Sequence, residues 1–136
     1  MRYKLLSLSL AVLTTSTFCG CKKDTAAPPC YAGKVVGLTC FDGMLINVDP
    51  AYRIGVRATR NDSAHSVLGT NVISVVNTMD YGRLATVGLT LHFNAVNDPN
   101  RQHSGLQCFA ADGVQGGVPR LVLGNVSTMG CQEGPR

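Results

Sequence analysis

Apolar side chains recur at every second position along much of this chain, in short runs broken by Gly, Asn, Asp and Pro. A period of two is the signature of a strand with one face buried. Val87, Leu89, Leu91 and Phe93 alternate with Gly88, Thr90, His92 and Asn94, which assigns the first set to a core and the second to solvent. Met44, Ile46 and Val48 repeat the pattern opposite Leu45, Asn47 and Asp49. Beyond the first thirty residues no stretch of helical length keeps a helical period, so the pattern predicts strands over Gly33–Thr39, Met44–Val48, Tyr52–Ala58, Val72–Asn77, Gly88–Asn94 and Arg120–Val126. Asp42-Gly43 supplies the positive φ of a tight turn between the first two.

The connections are long and polar: Arg57–Ser66, Asn94–Gly105 and Ala110–Pro119, the last carrying Gly113, Gly116 and Gly117 and expected to be mobile. Five or six short strands leave no room for a second full-sized sheet. The expected fold is therefore all-β, a small five- or six-stranded barrel of OB-like form, with a small β-sandwich as the alternative.

The first twenty residues have a different character. Arg2 and Lys4 precede an apolar run from Leu5 to Leu13, which is the layout of a secretory leader and too short to span a bilayer. Thr17-Phe18-Cys19-Gly20-Cys21 then resembles the lipobox of bacterial lipoproteins, with small Gly20 before the cysteine that becomes the lipidated N-terminus. Phe18 and Cys19 depart from the Leu and small residue usual there. Cys19 itself follows bulky Phe18, so the resemblance assigns cleavage and lipid to Cys21. It implies an envelope protein held in a membrane by acyl chains, and Lys22, lacking the Asp of inner-membrane retention, favours the outer membrane. Lys22 to Pro29 reads as a polar tether ending in two prolines. The chain thus divides into a leader (1–20), a lipid-anchored tether (21–29), a β domain (30–131) and a short tail (132–136).

Without the leader, ten basic residues face eight acidic ones, a scattered balance that is no nucleic-acid footprint. Cys30, Cys40, Cys108 and Cys131 remain, an even number in an exported chain, and predict two disulfides. A strand over Gly33–Thr39 holds Cys30 and Cys40 about 30 Å apart, far beyond the reach of a bridge. Of the two remaining pairings, Cys30 with Cys131 and Cys40 with Cys108 brackets the domain at its ends, which often lie close; the crossed pairing is the other option. Zinc is disfavoured because no two cysteines have C-x-x-C spacing.

Catalytic chemistry finds little support. His65 sits beside Ser63 and Ser66, and His103 beside Ser104, but adjacency in a loop does not align a nucleophile with its base. His92 occupies the polar face of a strand. The acids are dispersed singly, with Glu133 the only glutamate, so no carboxylate pair for glycoside chemistry stands out. No cofactor is expected. The reading that follows is a non-enzymatic, lipid-anchored binding or structural module presenting polar loops to a protein, glycan or small ligand of the envelope. The alternative is a small inhibitor of a hydrolase acting through Asn97–Ser104.

Overall fold

The computed structural model describes residues 29–105, 108 and 112–131. The expected leader over 1–20, the expected lipid site Cys21, the expected tether as far as residue 28 and the tail 132–136 lie outside them. Among the described residues seven strands form one sheet: β1 Tyr31–Thr39, β2 Gly43–Val48, β3 Val56–Arg60, β4 Val67–Val75, β5 Thr90–Val96, β6 Val114–Gln115 and β7 Arg120–Ser127. The only helical segments described are two 3-10 turns, Thr78–Asp80 and Gly82–Leu84.

The strand order is β2-β1-β5-β7-β4-β3-β6, and β2 also pairs with β4. Five strands therefore form a ring of pairings, β1–β2–β4–β7–β5 and back to β1. Every pairing is antiparallel except β4–β7, which joins only Ser74 to Arg120 and Val75 to Leu121. That short parallel seam leaves a ring-like sheet rather than a barrel, and the second sheet of a sandwich does not form. The seam is reinforced from the side. Asn77, just beyond β4, accepts the Leu123 N–H on Oδ1 at 2.9 Å and donates Nδ2 to the Leu123 carbonyl at 3.0 Å. The Tyr81 hydroxyl donates to the same carbonyl, and burial pushes the Tyr81 phenol above the ordinary tyrosine range, which keeps it a donor.

The ring interior holds Val35, Met44, Ile46, Val48, Ile73, Val75, Leu91, Phe93 and Leu123, all buried. The alternation within β1, β2 and β5 follows from this, with two departures. Val87 was assigned to the core face but is 57% exposed. The pairing of β5 begins only at Thr90, and Gly88 at φ +94° swings the preceding residue outward. Leu45 was assigned to solvent but is fully buried, because β3 and β6 fold across the outside of β2 and β4. They cover a second cluster of Leu45, Ala58 and Val72, flanked by Val36, Leu68, Val114 and Val118.

The boundaries shift for similar reasons. Tyr52–Gly55 is not strand, because Asn71 satisfies its backbone instead. Asn71 Nδ2 donates to the carbonyls of Asp49 at 3.1 Å and Tyr52, and Asn71 Oδ1 accepts the Gly55 N–H at 2.7 Å. The strand resumes at Val56 and consumes Arg57–Arg60 of the expected loop; β4 starts at Val67, where it can pair with β3. Within the expected loop Ala110–Pro119, Val114–Gln115 pairs with β3 as β6.

Both disulfides form as the preferred pairing, Cys30–Cys131 and Cys40–Cys108, with Cα separations of 5.8 and 5.5 Å. They lie just before and just after β1. Non-reducing peptide mapping is expected to recover these two pairs and no Cys30–Cys40 species. Replacing Cys40 and Cys108 together by Ala should lower stability in denaturant titrations by several kcal/mol, up to about 5, since the bridge closes a long loop.

Candidate functional site

The turn between β1 and β2 is the point on which the polar loops converge. Gly43, at φ +73°, reverses the chain where any side chain would strike the Val75 carbonyl and the Thr78 hydroxyl. This tight reversal presents Phe41 outward, 53% exposed, and Asp42 inward, with its side chain 8% exposed.

Asp42 is bonded on every side. Its carboxylate accepts the Val114 N–H at 2.9 Å on Oδ2 and faces Arg120 Nη2 at 3.4 Å through Oδ1. Its backbone N–H donates to Thr39 Oγ1 at 2.9 Å, and its carbonyl accepts the Ser74 hydroxyl at 2.5 Å. One residue thereby fastens the ends of β1, β4, β6 and β7. Arg120 extends the contact: Nη1 donates to the Gln102 carbonyl at 3.1 Å and lies 3.4 Å from His103 Nδ1, and the guanidinium sits 5.1 Å from the centre of the Phe41 ring. An aromatic ring backed by a guanidinium is attracted to it electrostatically and loses freedom without losing exposure.

Cys40 completes the clamp. Its N–H donates to Asp112 Oδ2 and its carbonyl accepts the Ser104 hydroxyl, each at 2.9 Å, while its sulfur is bonded to Cys108. Beyond it, the Asn61 N–H donates to the Gly113 carbonyl at 3.2 Å, and Gln115 Nε2 donates to Asn61 Oδ1 at 3.0 Å. All three expected loops thus meet at one end of the sheet, and Cys30–Cys131 lies at the other end of β1. The last of them, expected to be mobile, is docked at Gly113, Val114 and Gln115.

The candidate catalytic groups are not brought together. His65 is exposed at φ +45°, with Ser63 and Ser66 also exposed. His92 lies on the outer face of β5 between Ala32 and Ser127. His103 faces a guanidinium, whereas its neighbour Ser104 donates its hydroxyl to Cys40, so neither activates the other. Glu133 lies outside the described residues. The four cysteines expected in bridges are all in them, which leaves those sulfurs unavailable to a metal.

Asp42, Arg120 and Phe41 were not singled out from the sequence. Asp42 read as a turn residue and Arg120 as the start of a strand, and 78 positions separate them. No family model matches the chain, and neither a curated protein nor a solved structure matches it.

The ion pair and the ring contact should behave as one unit. Asp42→Ala strands a largely buried guanidinium and an unpaired Val114 N–H, so a loss of about 3–5 kcal/mol is expected in thermal or denaturant unfolding. In a double-mutant cycle with Arg120→Met, the combined loss should fall short of the sum of the single losses by at least about 0.5 kcal/mol. Additive losses would show that the two residues act separately.

Proposed function

We propose that the protein is a lipid-anchored module of the bacterial cell envelope, tethered through Cys21 and most consistent with the outer membrane, that binds an envelope partner through the loop cluster around Phe41 and Arg120 and performs no catalysis. The observation that carries this reading is the separation of the two disulfides along β1. The tether enters the domain at Cys30, beside Cys131, whereas the loops gather at Cys40 and Cys108 after a nine-residue strand about 30 Å long. A domain held by the first end presents the second away from the bilayer. Two disulfides suit an oxidising compartment. The loop end also has the make-up of an interaction surface, with an exposed, immobilised aromatic ringed by polar groups.

A small inhibitor of a hydrolase is the second reading, favoured by the bracing of the Asn97–Ser104 loop. Gln102 Nε2 donates to the Asp98 carbonyl at 2.6 Å, and Arg101 stands exposed. Against it, the Arg101 N–H donates to the Asp98 carbonyl at 3.1 Å and closes a turn, where a loop mimicking a substrate would be extended.

Two measurements test the proposal. Intact mass of detergent-extracted protein should show a chain beginning at Cys21 and carrying acyl chains, and Cys21→Ser should release or stall it; an unmodified Cys21 contradicts the anchor. A photo-crosslinking residue at position 41 should give a discrete adduct in cells that the same residue at Arg83 does not. Equal adducts from both positions contradict the assignment of the loop end.

A further inference from the structure

On the outside of the ring, away from the loop cluster, β2, β1 and β5 lie side by side. Lys34 in β1 pairs across the strands with Asn47 on one side and Thr90 on the other. Three polar side chains therefore form a straight row over two strand spacings, about 10 Å. The row borders a shallow open depression of about 220 Å³, with Asp49 on its rim and Ala32 and Pro50 among the residues lining it.

The polar groups of this row and its rim are largely uncommitted within the fold. Neither Lys34 nor the Thr90 hydroxyl has a hydrogen-bond or ionic partner among the described residues. Asn47 has its Oδ1 taken by the Asn71 N–H at 3.1 Å, which leaves its Nδ2 group as a donor. Asp49 Oδ1 accepts the Ala51 N–H at 2.9 Å and its other oxygen is unused. Lys34 and Asp49 carry opposite charges on the same depression, and they are not among the ion pairs within 4.0 Å. The site offers donors and a positive charge on one side, a negative acceptor on another, and apolar carbon between them.

We infer that this depression binds a carboxylated monosaccharide unit of the uronic-acid type. Its carboxylate would meet Lys34 and the Thr90 hydroxyl, its ring hydroxyls would donate to Asp49 and accept from Asn47, and its C–H face would rest on Ala32 and Pro50. The volume falls below the range of about 300–1,000 Å³ typical of pockets for larger ligands, which suits one sugar ring. A saccharide unit satisfies a carboxylate acceptor and a cationic donor together, whereas a simple anion satisfies only the cation. This inference depends neither on the lipid nor on the loop cluster.

The test is an NMR titration of the full chain in mild detergent with D-glucuronate, methyl glucoside and acetate. Glucuronate should give saturable shifts of the Lys34, Asn47, Asp49 and Thr90 amides, and methyl glucoside and acetate should bind at least about tenfold more weakly. Lys34→Met and Asp49→Asn, both at exposed positions, should leave the remaining spectrum unchanged. The first should weaken glucuronate binding by about tenfold or more, and the second measurably. The inference is overturned if glucuronate gives no saturable shift, if acetate binds as well, or if either variant binds glucuronate like the parent.

Discussion

The carboxylate of Asp42 is the constraint on which the loop end of this domain depends. Buried within a tight turn, it holds a backbone amide of β6 and a guanidinium from β7, while its own backbone holds β1 and β4. A buried carboxylate is stable only when its acceptor sites are occupied, so the residues supplying those donors cannot drift independently. Phe41 inherits its position from this, as the exposed neighbour of a fixed residue and the cover of a fixed guanidinium. The Cys40–Cys108 bridge adds a covalent limit to the same cluster.

The ring of strands provides the frame. Its interior is a continuous apolar core, but its weakest join is a parallel seam two residue pairs long. Side chains strengthen it: Asn77 and Tyr81 reach the backbone of Leu123, and Arg120, a member of the seam, is held by Asp42. Polar residues therefore carry closure where backbone pairing is short. A second use of the same device is Asn71, whose amide replaces a ladder over Tyr52–Gly55.

Much of the frame was legible in the sequence. The alternation in Met44–Val48 and Leu89–Phe93 gave their buried faces, Asp42-Gly43 gave the hairpin, and the distance across β1 excluded Cys30–Cys40. What could not be read were contacts between residues far apart. Leu45 looked solvent-facing because nothing local shows that β3 and β6 will cover it. Tyr52 looked like strand because its replacement partner, Asn71, lies nineteen positions away. The site was least legible of all, since Asp42 and Arg120 acquire their meaning only when the ring brings the start of β7 to the end of β1.

The two disulfides brace the two ends of one strand, and the polar loops gather at the second of them. The loop end acts as a single ordered unit fixed by Asp42. Native-state hydrogen exchange on Asp42→Asn, which keeps the size of the side chain but removes its charge, reads whether the cluster opens as one. The amides of Cys40 and Val114 should lose protection together while Ile46, Ile73 and Phe93 in the ring keep theirs. Unchanged protection at Cys40 and Val114 would contradict it.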